Sequence, residues 1–78
     1  MKTIKNIIYN LRNGENQEFD LFNNRLDMQW TLTFEFIKND IYMMTNYSTL
    51  TGVFFESLDE LENYLKNSFI NDKNYELY

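Results

Sequence analysis

Apolar residues recur at Ile4, Ile7, Ile8 and Leu11, the i, i+3, i+4, i+7 spacing of a helix with one buried stripe. Thr3 stands where an N-cap belongs and Gly14 where a left-handed residue ends a helix, so the first helix is placed at 3–13. Phe19, Leu21 and Phe22 then mark a short strand, and Asn23-Asn24-Arg25 a turn, because Asn tolerates left-handed backbone. From Met28 the period is two. Met28, Trp30, Leu32, Phe34 and Phe36 alternate with Gln29, Thr31, Thr33 and Glu35, which predicts a strand with one buried and one wetter face. Trp30, Phe34 and Phe36 are accordingly read as core.

Lys38-Asn39-Asp40-Ile41 reads as a hairpin with a two-residue Asn-Asp loop. A regular register would set Phe36 opposite Met43, Phe34 opposite Thr45 and Leu32 opposite Tyr47. On the other face Ile37 would meet Tyr42, and Glu35 would meet Met44. Tyr42 and Met44 would then lie on the sheet face away from the helices, as candidate anchors for a partner. Tyr47-Ser48-Thr49 opens a loop, and Thr51 to Phe55 is a further short strand. Ser57-Leu58-Asp59-Glu60 is a capping-box pattern, with Ser57 as N-cap and Glu60 at N3. The helix that follows buries Leu58, Leu61, Leu65 and Phe69, with Tyr64 beside them, and is expected to end near Ile70. Glu62 and Lys66 are four apart in the favourable order.

The element order α-β-β-β(-β)-α predicts an α+β fold. It is a small antiparallel sheet of three to four strands with an N-terminal and a C-terminal helix on one face. Residues 1–71 are expected to form a single domain and 72–78 a polar C-terminal tail. Tyr75, Leu77 and Tyr78 predict that this tail docks on the domain or orders on a partner, covering Tyr42 or Met44.

Composition narrows the chemistry. Among 78 residues there is no His and no Cys, and 12 acidic residues against 7 basic ones leave a net charge of −5. Nucleophilic catalysis by Cys or a Ser-His pair is excluded, as is a zinc site with the usual nitrogen and sulfur ligands. The segment Asp20 to Asp27 lacks the alternating oxygen ligands and central Gly of a calcium loop. Gly14 and Gly52 are the only glycines, so there is no Gly-rich phosphate loop. No enzyme, cofactor or metal is expected. Direct nucleic-acid binding is not expected either, since Lys2, Lys5 and Arg12 are few against the net negative charge. No apolar run reaches the length of a membrane span. The N-terminus begins basic and apolar like a secretory leader, but Asn6, Asn10 and Arg12 interrupt it and no small-residue cleavage site follows. A cytoplasmic protein is expected, as monomer or homodimer.

Two acidic groups stand out. Glu56, Asp59, Glu60 and Glu62 gather at the start of the last helix, and Glu15, Glu18 and Asp20 around the first turn and strand. Part of this charge answers the positive helix start. The rest is a candidate surface for a basic partner.

The chain is rich in Asn, Lys, Ile, Tyr and Phe and has no Ala or Pro, a composition that points to an A+T-rich gene. Met1-Lys2-Thr3-Ile4-Lys5-Asn6-Ile7-Ile8 through Gly14-Glu15-Asn16-Gln17-Glu18-Phe19, and Phe54-Phe55-Glu56-Ser57-Leu58-Asp59-Glu60-Leu61, resemble short proteins of low-GC bacteria and their phages. Some phage proteins of this size and acidity are anti-CRISPR inhibitors. The resemblance implies a non-enzymatic inhibitor whose carboxylates take the positions of phosphates on a basic surface, with a CRISPR effector nuclease as candidate partner. It carries over no functional residue. The alternative expectation is a self-associating structural or regulatory protein that uses an exposed sheet face or edge.

Overall fold

The alternation from Met28 onward becomes the longest strand and the middle of the sheet. The computed structural model describes residues 3–68 and 73–78. Its elements are α1 (Ile4–Arg12), β1 (Gln17–Asn23), β2 (Met28–Lys38), β3 (Ile41–Asn46), β4 (Thr51–Phe55), α2 (Leu58–Lys66) and β5 (Tyr75–Leu77). The fold is α+β. The strands form one five-stranded sheet in the order β4-β3-β2-β1-β5, antiparallel at every pairing. Both helices cover the same face, where Ile7, Ile8 and Leu11 of α1 and Leu61 and Leu65 of α2 join one core with the sheet.

Helix boundaries follow the caps. The Asn6 backbone N–H donates to Thr3 Oγ1 at 3.3 Å, and the Thr3 N–H donates back to Asn6 Oδ1 at 3.0 Å. This is a reciprocal capping box with Asn where Glu or Gln is usual. Gly14 leaves α1 at φ +82, a conformation suited to glycine. At α2 the Glu60 N–H donates to Ser57 Oγ at 3.1 Å, while the Glu60 carboxylate accepts from the Glu56 N–H at 3.2 Å, one residue before the cap. α2 ends at Lys66, earlier than its apolar stripe predicts. The Asn67 side chain and the Ser68 hydroxyl donate to the carbonyls of Asn63 and Leu65, adding to the backbone N–H bonds from Asn67 and Ser68 that those carbonyls already accept at the helix end. Phe69 and Ile70 lie outside the described residues.

The β2–β3 hairpin corrects the expected register. Asn39 and Asp40 take φ +46 and +64, as a two-residue left-handed turn requires. The pairing then shifts between Phe36 and Lys38, leaving Ile37 as an extra residue. Phe36 therefore faces Tyr42, Phe34 faces Met44 and Leu32 faces Asn46. A one-residue slip turns a whole strand over. Tyr42 and Met44, expected on the open face, are in the core at 7% and 6% exposure, and Met43 takes the open face instead. The bulge puts two large apolar groups of β3 under the helices, which the regular register would have left in water. Phe34 is fully buried and Trp30 packs against the core, but Phe36 remains 43% exposed at the strand end, its ring edge-on to Tyr42.

Two turns share one construction. Asn23 Oδ1 accepts from the backbone N–H groups of Arg25 and Leu26, at 2.9 and 2.8 Å. Asn46 Oδ1 does the same for Ser48 and Thr49, at 3.0 and 3.3 Å. Each turn closes on a left-handed residue, Asp27 in the first and Leu50 in the second. Asp suits that geometry, while Leu at φ +56 is strained and its side chain is 84% exposed.

The described part of the expected tail is a strand. Leu77 pairs with Leu21, Glu76 with Phe22 and Tyr75 with Asn23, so β5 is a fifth strand where three or four were expected. Its docking site also differs from the expected one. Tyr75 lies against the Trp30 ring at 5.8 Å and Leu77 is buried beside Leu21, across β2 from Tyr42 and Met44. Leu77→Ala should lower unfolding free energy by about 2–5 kcal/mol in urea titration, the range for truncating a buried leucine. Leu50→Asn should raise it by about 1 kcal/mol, because Asn tolerates the left-handed conformation that costs Leu about that much.

Candidate partner-binding surfaces

A sheet covered on one side leaves the other side to solvent or to a partner. Strand pairing arranges that open face in rows. Glu76 and Gln29 flank Phe22 in the first row, and Asp20 faces Thr31 in the second. Glu18, Thr33, Thr45 and Gly52 cross the third, and Glu35, Met43 and Phe54 the fourth. Each of these four rows holds one carboxylate and no Lys or Arg, while the next β2–β3 pair beyond Glu35 and Phe36 is Lys38 with Ile41. Successive rows are about 6.7 Å apart, so Glu76, Asp20, Glu18 and Glu35 form a slanting line about 20 Å long. Neighbouring charges at that spacing repel by about 0.6 kcal/mol in water, which the free protein tolerates and a cationic surface would relieve.

Three of these carboxylates accept side-chain hydrogen bonds, and among the described residues none of the four forms an ion pair. Thr31 Oγ1 donates to Asp20 at 3.4 Å and Thr33 Oγ1 to Glu35 at 3.5 Å, both at the long limit of such bonds. Glu76 is the best supported. The Tyr78 hydroxyl donates to one of its oxygens and the Asn24 side-chain amide to the other, the latter at 2.9 Å. The Tyr78 bond first, then the Asn24 bond, holds the Glu76 pKa below the ordinary glutamate value. The same carboxylate raises the Tyr78 pKa.

The apolar corner of this face lies at β3 and β4. Phe54 is 61% exposed and Met43 half-buried. Met43 lies over Gly52, where an added Cβ would come within 2.6 Å of its methyl carbon. That atom is the flexible end of the Met43 side chain, so a small residue at 52 needs only that this end swings aside.

The two acidic groups lie on different parts of the molecule. Glu18 and Asp20 belong to the open face, and Glu15 is exposed in the connection after α1. Glu56, Asp59 and Glu60 are exposed three strands away, at the junction of β4 and α2 on the helix side. Within that second group Glu60 is engaged by the Glu56 N–H and Glu62 by Lys66, whose Nζ is 3.3 Å away. Asp40, from the β2–β3 turn, joins Glu56 and Asp59 around a shallow groove floored by Tyr42, Ser57 and Leu58. The sequence reading missed Asp40, Glu35 and Glu76. Period two already placed Glu35 on the wetter face, but Glu76 could be grouped with it only once β5 was known to pair with β1.

Among the described residues no group of three His, Cys, Asp or Glu side chains could hold a metal ion. No described helix is long and apolar enough to cross a membrane. No protein-family model, curated protein or solved structure matches the chain.

Glu76 gives a pH test of this arrangement. Because its folded pKa lies below the unfolded value, its bonds stabilise the fold above the ordinary glutamate range and are lost as pH falls through the folded pKa. In an NMR titration the Glu76 carboxyl should titrate below the ordinary glutamate range, and Tyr78→Phe should move it back up.

Proposed function

We propose that this chain is a non-enzymatic protein-binding inhibitor that lays the open face of its sheet on a basic, nucleic-acid-binding surface of another protein. A phage anti-defence role against a CRISPR effector nuclease is the concrete form of the proposal. The supporting observation is the line of Glu76, Asp20, Glu18 and Glu35, one carboxylate per row with no cation at the paired positions between them. Fixed negative charges at regular spacing on a rigid sheet match the way Lys and Arg side chains are laid out to meet a phosphate backbone. They steer encounter and make association sensitive to salt. Phe54 and Met43 add apolar contact at one end, the kind of anchor that charge alone does not supply. The group at the start of α2 is a weaker candidate, since Glu62 is already paired with Lys66 and Asp59 and Glu60 answer the positive helix start.

The test is inhibition of DNA cleavage by a panel of purified CRISPR effector nucleases. The wild-type chain should inhibit at least one of them, in competition with DNA and less strongly as salt rises. Glu18→Lys/Asp20→Lys/Glu35→Lys should weaken that inhibition by more than about tenfold, with melting preserved. Asp59→Lys/Glu60→Lys should change it little. No inhibition across the panel would overturn the nuclease form of the proposal, and full inhibition by the triple variant would overturn the role of the open face.

A further inference from the structure

The two edges of the sheet are built differently. β5 is three residues long and carries Glu76, both features that discourage pairing with another strand. β4, Thr51-Gly52-Val53-Phe54-Phe55, carries no charge, no Pro and no bulge, and among the described residues no strand pairs with its outer side. It is preceded by Leu50, strained and 84% exposed, and it presents Phe54 at 61% exposure. An edge of this kind leaves a row of backbone donors and acceptors ready to pair.

We infer that β4 pairs antiparallel with β4 of a second copy of this chain, about a two-fold axis through Val53. The segment is self-complementary in that register. Phe54 falls opposite the partner's Gly52, where the ring meets the methyl end of Met43 that lies over that glycine, and Thr51 falls opposite the partner's Phe55. An aromatic beside a glycine is a recognised way to stabilise strand pairing. Charge favours the same register. The chain carries −5, yet no charged residue lies within β4, and Glu56 falls opposite the partner's Leu50 rather than another carboxylate. A two-fold axis normal to the sheet keeps both open faces on one side and both helix layers on the other. Two five-residue strands alone bury less than the roughly 800 Å² per partner of a standard interface. Association is therefore concentration-dependent rather than permanent. This inference does not depend on the identity of any target.

The chain has no Cys, which permits a clean test. Paired residues in an antiparallel sheet have Cα atoms about 4.5–5.5 Å apart, within disulfide range. Val53→Cys should form an intermolecular disulfide on mild oxidation, whereas Thr51→Cys should not, because residue 51 faces the partner's residue 55. Sedimentation velocity of the wild-type chain should show a shift from monomer to dimer with rising concentration. Phe54→Lys should remove that shift with its circular dichroism unchanged. A wild-type chain that stays monomeric at every concentration, or a dimer in which Thr51→Cys cross-links as readily as Val53→Cys, would overturn the inference. The cysteine pair decides the register even if Phe54→Lys fails to fold.

Discussion

Two nine-residue helices have to cover a sheet whose central strand is eleven residues long. Each helix spans about 13.5 Å and the strand about 36 Å. Cover is therefore concentrated over the middle of β2, where Leu32 and Phe34 are fully buried, and it runs out at the ends, where Met28 and Phe36 are 45% and 43% exposed. Among the described residues no helix covers the opposite face. This shortage of cover shapes the rest of the molecule. It explains why the bulge at Ile37, by turning Tyr42 and Met44 inward, matters to a core with few other contributors, and why Thr and Glu occupy the outer positions of β2.

Much of this was legible in the residues. Thr3 and Ser57 announce helix starts because their side chains answer the open N–H groups of the first turn. Asn39-Asp40 announces a turn because both residues tolerate left-handed backbone. The strict alternation in β2 reports a half-buried strand. What could not be read was any feature settled by the sum of distant contacts. The bulge is one: nothing near Ile37 marks it, and only burial of Tyr42 and Met44 selects it over the regular register. β5 is another, since three residues are too few to show a period. The candidate surface inherits both blind spots. Glu18 and Asp20 were visible as charges, but the line they make with Glu35 and Glu76 exists only through strand pairing.

The acidic residues also divide by task. Asp59 and Glu60 sit in the first turn of α2, where negative charge opposes the helix dipole, and Lys66 sits in the last. These charges would be expected of a stable helix whatever the chain does. Of the open-face carboxylates Glu76 is bonded into the fold through Tyr78 and Asn24, but Glu18, Asp20 and Glu35 have no comparable structural role, because a sheet has little net dipole and they lie on the side away from the core. A function carried by charge is therefore better sought on the sheet than at the helix end, although the helix end has more acidic residues in sequence.

The order of strands has a consequence for how the chain folds. β1 to β4 each pair with a sequence neighbour through a turn of two to four residues, so these contacts are local and quickly made. β5 is the exception. The Asn24–Glu76 bond beside it joins residues 52 apart, and the loop it closes includes every strand from β2 to β4 and the whole of α2. Loop closure over that separation is the slowest pairing available to the sheet. Until it occurs, β1 is itself an open edge, with Leu21 unshielded and the Trp30 ring without Tyr75. Pairing of the last strand is thus the step with the largest loop to close, and it alone removes the open edge of β1.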